Sequence, residues 1–225
     1  MHQELVARND ADFLEQGTAM LEHTIDTAVR ERGFAILGLS GGSTPKPIYE
    51  ALGTAKMDWS MVWIFLVDDR YVRADDPNSN QFLLRSTLLK HAPVPASQII
   101  FPDTTLPLSE CVNLYNQHLN DLLQKGSPDI ITLGMGDDGH IASLFPPLSD
   151  EAFGPSCAIH TTTATFAVKD RISVTMPVLR KARQAVFFLK GAEKKQVWEE
   201  MMESAEGGKM WPAKTLPTAT VIAQW

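Results

Sequence analysis

Short apolar runs alternate with longer amphipathic stretches along most of this chain. Two fully apolar runs, Phe34–Leu39 and Val62–Val67, predict buried strands. Elsewhere, apolar residues at helical spacing predict helices, of which the longest is Phe13–Arg32, with Gly33 as its C-cap. Strands that alternate with helices are typical of an α/β fold, so we expect a doubly wound, Rossmann-like and mostly parallel sheet flanked by helices.

The same patterns predict the remaining elements. The predicted helices are Pro45–Leu52, Asn80–Lys90, Leu108–Lys125 and Ala192–Ser204, and the predicted strands are Asp129–Leu133, Ile159–Thr163, Ile172–Thr175, Ala185–Leu189 and Ala219–Ala223. Pro45 suits the first helical position. Because the chain has no internal repeat and no low-complexity linker, we expect residues 1–225 to form a single domain.

Composition and charge exclude several classes of protein. The 225 residues include 20 Lys and Arg against 27 Asp and Glu, and the basic residues are scattered rather than clustered as in a nucleic-acid-binding protein. Cys111 and Cys157 are too few for a disulfide framework or a four-ligand zinc site. The segment Met1–Asp12 lacks the apolar region of a signal peptide, and no apolar run approaches the ~18–20 residues of a membrane span, so the cytoplasm is the expected compartment.

Three polar clusters each follow the end of an apolar run. They are Ser40–Pro45, Asp68–Arg70 and Asp138–His140. In an open parallel sheet the carboxyl ends of the strands share one edge, and ligands bind in the crevice there. We therefore expect the three clusters to meet around one ligand.

The first cluster is typical of an anion-binding loop. Gly41 and Gly42 let the backbone approach a ligand closely, and Ser43 and Thr44 offer hydroxyls and a helix N-cap. The start of the following helix supplies free N–H groups that suit a phosphate, and Lys46 adds positive charge. A plain helix cap is the alternative, although a cap needs only one Ser or Thr.

Two literal motif matches point to other chemistry. Gly38–Gly42 spells the G-x-S-x-G of a serine hydrolase with Ser40 as nucleophile, but Pro45 delays the helix that should begin at once. Gly134–Gly139 spells the G-x-G-x-x-G of a dinucleotide site, but Pro146 cuts short the helix that this site needs, and two Asp within the motif would repel a pyrophosphate. The remaining histidines show no metal-ligand spacing, so we expect no nucleotide cofactor and no metal.

The second and third clusters carry candidate catalytic groups. His140 suits a general base that takes a proton from water, and Asp138 suits the carboxylate that orients it. Arg70, beside Asp68, suits an anion ligand or an oxyanion stabiliser, and Arg171 is a second candidate phosphate ligand. The structural alternatives are a loop-capping histidine, a surface ion-pair cluster at 68–70 and a solvated charge at 171.

Taken together, the clusters resemble one family, the 6-phosphogluconolactonases, with their relatives the glucosamine-6-phosphate deaminases. The segments that carry the resemblance are Leu39–Lys46, Asp68–Arg70 with Ser79 and Asn80 downstream, Leu133–Pro146, Arg171–Pro177 and Trp211–Lys214. The third of these segments is highly specific, whereas the second is weak by itself. The family usually has Asp-Glu-Arg in the second segment, and Asp69 at its centre keeps the charge but shortens the reach.

The resemblance implies hydrolysis of 6-phospho-D-glucono-1,5-lactone to 6-phosphogluconate, the second step of the oxidative pentose phosphate pathway. It implies no metal and no organic cofactor. In such enzymes the residue matching His140 is the general base and the residue matching Asp138 its helper, and Asp68 and Arg70 complete the expected catalytic set. The expected substrate and phosphate ligands are Gly41, Gly42, Ser43, Thr44, Lys46 and Arg171.

A deaminase or isomerase of the same superfamily is the main rival. Deaminases typically read Asp-Glu-Tyr at the second cluster and Phe-Asn-Glu-Pro after the His-Ile-Ala, where this chain has Arg70 and Ser143–Pro146. A non-catalytic sugar-phosphate sensor would keep the phosphate loop and lose the base, yet Asp138 and His140 are both present. The expected partner is a small phosphosugar lactone, with no nucleic acid and no membrane, and the expected state is a monomer or weak homo-oligomer.

Overall fold

Helices are interspersed with strands along the chain in the computed structural model, which describes residues 2–225. The helices are α1 (Asp10–Arg32), α2 (Lys46–Gly53), α3 (Asn80–Ser86), α4 (Leu88–His91), α5 (Leu108–Lys125), α6 (Met176–Lys181) and α7 (Ala192–Glu203). The strands are β1 (Gln3–Val6), β2 (Ala35–Leu39), β3 (Val62–Leu66), β4 (Asp68–Arg70), β5 (Ile99–Ile100), β6 (Ile130–Leu133), β7 (Ala158–Thr162), β8 (Asp170–Val174), β9 (Gln184–Lys190) and β10 (Thr220–Gln224).

Seven of these strands form one parallel sheet in the order β1-β10-β9-β6-β2-β3-β5. The first strand pairs with the last, so that Gln3 lies opposite Thr220 and Val6 opposite Ala223. Strand β2 lies inside the sheet, between β6 and β3. The predicted doubly wound, mostly parallel α/β fold is confirmed.

Helices cover both faces of this sheet and enclose two apolar cores. One core joins α1, α2, α3 and α4 to sheet residues that include Leu37 and Ile64. The other joins α5, α6 and α7 to sheet residues that include Ile36 and Phe65. Because neighbouring residues of β2 enter opposite cores, both sides of the strand must be apolar, which explains its continuous apolar run.

A second, antiparallel sheet of three strands, β4-β8-β7, follows the carboxyl end of β3. Val67 connects the two sheets, since its N–H donates to the Leu39 carbonyl at 3.0 Å and its carbonyl accepts from the Val174 N–H at 2.9 Å. The register of β4 and β8 places Arg70 opposite Arg171. The sequence predicts β7 and β8 as strands, but it does not predict β4 or this separate sheet.

Element boundaries follow the predictions closely, with three differences. Gly33 has a φ of 81° and donates its N–H to the Val29 carbonyl, as expected of the C-cap of α1. Pro45 is the N-cap residue of α2 rather than its first helical residue, and no side chain caps this helix. The single helix predicted over Asn80–Lys90 is broken at Thr87, whose φ of −118° and ψ of −93° are not helical.

The third difference is that β1, β4, β5 and α6 lie where no element is predicted. All four are short, so their patterns are too brief to show a clear period. Within residues 2–225, no helix combines the length and the apolar character needed to cross a membrane.

Candidate active site

The polar segments that follow β2, β3 and β6 meet around one cavity of about 300 Å³. Its wall includes eight of the ten residues selected from the sequence. These are Gly41, Gly42, Ser43, Thr44, Asp68, Arg70, His140 and Arg171. The rule that parallel strands gather their carboxyl ends at one edge therefore brings three distant segments together.

His140 and Asp138 form a hydrogen-bonded pair at this cavity. His140 Nδ1 lies 2.5 Å from Asp138 Oδ1, and the His140 backbone N–H also donates to that oxygen at 3.1 Å. Gly136 makes room for the pair, because a Cβ at this position would lie 2.0 Å from His140 Nδ1. The second glycine of the G-x-G-x-x-G match is thus explained by the close approach of His140 rather than by a dinucleotide. No helix directly follows the motif in the structure.

The pair leaves the second ring nitrogen of His140 free to accept a proton. Partial burial raises the pKa of Asp138, but the hydrogen bonds and charge of His140 outweigh it and hold that pKa below its usual value. Since an ionised carboxylate can only accept hydrogen bonds, Nδ1 must carry a proton, and in the neutral imidazole the lone pair is then on Nε2. Asp138 does not line the cavity, whereas His140 does, and the side chain of His140 is 17% exposed against 43% for that of Asp138.

Two guanidinium groups face this cavity without an acidic partner. Within residues 2–225 neither forms an ion pair with a carboxylate: Arg70 donates to the Asn80 side chain and the Asn78 carbonyl, and Arg171 donates to the Val168 carbonyl. Burial and then the charge of Arg70 lower the pKa of Arg171. Two cations that repel each other in a half-enclosed cavity are suited to binding an anion between them.

Asp68 is buried and its carboxylate is held by neutral donors. Ser143 Oγ donates to Oδ2 at 2.6 Å, and Asn80 Nδ2 donates to Oδ1 at 3.2 Å. Asn80 Oδ1 in turn accepts from the Arg70 guanidinium at 2.8 Å, so that Asn80 bridges Asp68 and Arg70. The 68–70 segment is therefore not a surface ion-pair cluster. Sequence reasoning gave no role to Asn80 or Ser143.

Asp69 is fully buried and does not line the cavity. Its carboxylate accepts from Ser79 Oγ at 3.0 Å and from the backbone N–H groups of Arg70, Asn80 and Gln81 at 2.8, 2.6 and 3.2 Å. Burial raises the pKa of Asp69 to about 6 although these hydrogen bonds lower it. The short Asp side chain thus fastens the start of α3, and with it Asn80, to β4.

The loop before α2 approaches the other segments closely. A Cβ on Gly41 would lie 1.8 Å from Asn80 Oδ1, which explains the glycine. Since Pro45 is the N-cap residue and no side chain caps α2, the expected capping by Ser43 or Thr44 is wrong, and neither hydroxyl is used by this helix. Both residues line the cavity instead.

Ser40 does not have the surroundings of a hydrolase nucleophile. Its Oγ lies 3.2 Å from Thr132 Oγ1, and its N–H donates to the same oxygen at 2.9 Å. Tyr49 completes the cluster by donating to the Ser40 carbonyl at 3.0 Å. No described histidine is hydrogen bonded to Ser40, as a nucleophile and its base would be.

Lys46 is not brought to the cavity. It is exposed on the first turn of α2, on the same side as Pro47 and Glu50, while Ile48 and Tyr49 face the core. The cavity lysine is Lys194, on the first turn of α7, where it pairs with Asp137. Phe166, in the loop between β7 and β8, also lines the cavity. No local motif marks either residue.

No group of three or more His, Cys, Asp or Glu side chains within residues 2–225 is arranged to hold a metal ion. The charged groups that face the cavity are mainly cationic, with Arg70, Arg171 and Lys194 against Asp68 and Asp137. Such a set suits an anionic ligand.

The family model described as "Glucosamine-6-phosphate isomerases/6-phosphogluconolactonase" matches residues 8–224. The chain belongs to this family. Among curated members of the glucosamine-6-phosphate isomerase/6-phosphogluconolactonase family, the "Probable 6-phosphogluconolactonase" of Dictyostelium discoideum is 40% identical over 206 residues, which cover 89% of this chain and 87% of the relative.

Solved structures in the family agree with the fold. The 6-phosphogluconolactonase from Plasmodium vivax superposes with a TM-score of 0.90 at 27% identity, covering 98% of this chain and 89% of the other. The structure from Shewanella baltica OS155 has a TM-score of 0.90 at 26% identity and covers 100% of this chain and 98% of the other. The resemblance found in the sequence is thereby confirmed.

Proposed function

We propose that this protein hydrolyses 6-phospho-D-glucono-1,5-lactone to 6-phosphogluconate, the second step of the oxidative pentose phosphate pathway. One observation carries the proposal. His140, which is hydrogen bonded to Asp138 through Nδ1, lines the same cavity as Arg70 and Arg171, which form no ion pair with a carboxylate of residues 2–225. Relatives whose names are 6-phosphogluconolactonase support the choice of substrate.

His140 activates the attacking water. Its Nε2 accepts a proton while the water oxygen bonds to C1 of the lactone, and Asp138 stabilises the imidazolium that results. The bond between C1 and the ring oxygen then breaks. The same proton passes from His140 to that oxygen, which leaves as the C5 hydroxyl, and the product is a carboxylic acid. This step needs no metal and no organic cofactor.

The cations have two tasks in this scheme. The tetrahedral intermediate carries an oxyanion at C1, and Arg70 stabilises it from a position fixed by Asn80. The remote phosphate binds to the loop Gly41–Thr44 and to Arg171, and we add Lys194 to this set because it lines the same cavity. Binding of the phosphate holds C1 against the water.

A lactone-hydrolysis assay tests the proposal. The phospholactone is generated in situ, and its spontaneous opening is subtracted. We expect wild type to accelerate the reaction and His140→Ala to lose about 10²–10⁴-fold in kcat with substrate binding retained. His160→Ala is the matched control, because His160 pairs with Asp170 at 2.9 Å outside the cavity and should keep full activity.

Each alternative result has a definite meaning. Acceleration that survives His140→Ala removes this residue as the base but keeps the lactonase function. Absence of acceleration by wild type overturns the lactonase proposal, and turnover of glucosamine-6-phosphate then identifies a deaminase. If neither substrate reacts but phosphosugars bind, the protein is a sensor.

Cys111 and Cys157 are both free thiols. Free thiols suit the reducing cytoplasm, where we propose that the enzyme works.

A further inference from the structure

Phe166 is an exposed aromatic residue on the wall of the cavity. It lies in the loop between β7 and β8, and 37% of its surface is open to solvent. An exposed phenyl ring contributes little to an apolar core, and contact with a ligand would remove it from water.

The ring contacts both functional groups of the cavity. Its centroid is 5.6 Å from that of the His140 ring in an edge-to-face arrangement, and Arg171 Cζ lies 5.5 Å from the same centroid. Phe145 packs against His140 from nearby, with a centroid distance of 4.7 Å. Phe166 therefore lies between the proposed base and one of the proposed phosphate ligands.

This position matches the middle of the proposed substrate. In a 6-phosphorylated lactone the reacting carbonyl is at one end and the phosphate at the other, and the sugar ring joins them. A molecule that reaches from His140 to Arg171 must pass along Phe166. The C–H groups of a sugar ring give it an apolar face that suits contact with a phenyl ring.

We propose that Phe166 is a substrate-contacting residue that covers the apolar face of the lactone ring and thereby contributes to recognition of the sugar. This inference rests on the proposed lactonase function. It assigns to the loop between β7 and β8 a part in binding the ring rather than the phosphate.

The test compares Phe166→Ala with Phe82→Ala. Phe82 is a matched control because it is 40% exposed, lies on α3 and does not line the cavity. Two constants are measured, the KM for the phospholactone and the Ki for inorganic phosphate as a competitive inhibitor. Loss of the ring contact should raise KM about tenfold with little change in kcat, because the contact exists equally before and during the reaction.

The Ki for inorganic phosphate separates two explanations. We expect Phe166→Ala to leave it unchanged, Phe166→Leu to restore most of the KM, and Phe82→Ala to behave as wild type. A parallel rise in the Ki for phosphate would overturn the inference, since Phe166 would then act only by holding Arg171. An unchanged KM in Phe166→Ala would also overturn it. A wild-type protein without lactonase activity would instead overturn the proposed function on which the inference rests.

Discussion

Two acidic pairs lie close to the cavity, and their surroundings differ. Asp68 and Asp69 are buried, and their oxygens accept hydrogen bonds from Ser143, Asn80, Ser79 and backbone N–H groups. Asp137 and Asp138 lie on an exposed loop, and each pairs with a basic side chain, Lys194 or His140.

The difference separates positioning from activation. A carboxylate held by neutral, fixed donors stays where the fold places it and locates its neighbours, as Asp68 and Asp69 locate Asn80 and Arg70. A carboxylate bound to an imidazole changes what the imidazole can do, because it selects the tautomer and stabilises the charged form. Two pairs of consecutive Asp residues can thus differ in what they do, because the groups that bind each carboxylate determine whether it holds its neighbours in place or changes their charge state.

The largest expected effect is on the exposed pair. Asp138→Asn should lower kcat about 100-fold or more, because an amide allows the wrong tautomer of His140 and no longer stabilises its cation. A steady-state lactonase assay measures the loss. Asp170→Asn, in the surface pair with His160, is the control and should be fully active. Full activity of Asp138→Asn would contradict an activating role.

Asp69, one of the buried pair, should make the free energy of unfolding depend on pH. Burial raises the folded-state pKa of Asp69 from 3.8 to about 6, so the folded protein binds a proton that the unfolded chain has already released. The contribution of Asp69 to the free energy of unfolding therefore falls as pH rises from about 4 to about 6, by about 3 kcal/mol in total.

Denaturant unfolding of wild type and Asp69→Asn at several pH values measures this contribution. Carboxylates with lowered pKa values, such as Asp138 and Asp150, give the opposite dependence of stability on pH. They are present in both proteins, so their contribution cancels when the two free energies of unfolding are subtracted. The free energy of unfolding of wild type should increase relative to that of Asp69→Asn as pH falls from 6 to 4. A difference that is constant over this range would show that Asp69 is not a buried titrating acid.

The Asn80 bridge allows a sharper test of positioning. Asn80→Ala should lower kcat/KM about tenfold, because Arg70 loses one fixed acceptor while its charge remains. Asn78→Ala is a close control, since Arg70 binds only the backbone carbonyl of Asn78. If the two variants lose activity equally, the Asn80 side chain does not position Arg70.

The smallest expected effect is at Lys46. Lys46→Ala should change KM by less than about twofold, because this lysine is exposed and does not line the cavity. Substitutions at such surface positions usually have small effects. Lys194→Ala, made alongside it, should raise KM for the phospholactone clearly. A large effect of Lys46→Ala would restore the phosphate role that the sequence assigns to it.

Much of the site could be predicted because its main residues follow strands. The short, mainly apolar runs of β2, β3 and β6 identify buried parallel strands, and one rule of parallel sheets then places the residues after them at a common edge. This logic succeeds for residues such as His140 and Arg70. It fails for Lys46, because the exposed side of α2 turns it away from the cavity.

Other residues of the site could not be predicted, for physical reasons. Asn80 reaches Asp68 and Arg70 because Asp69 fastens α3 to β4, and β4 is too short to show any alternation. Lys194 and Phe166 arrive from α7 and from the hairpin of the second sheet. Their positions depend on how these elements pack against the main sheet, and this packing cannot be predicted from the spacing of residues along the chain.

The place of β10 between β1 and β9 has a consequence for synthesis of the protein. The ribosome makes Gln3–Val6 long before Thr220–Gln224, the strand with which this segment pairs. Until the latter leaves the ribosome, the early strand has no partner in the sheet and its mostly exposed residues stay in solvent. The cavity residues, which run from Ser40 to Lys194, are all translated before then. Closure of that side of the sheet therefore comes after the synthesis of every part of the active site.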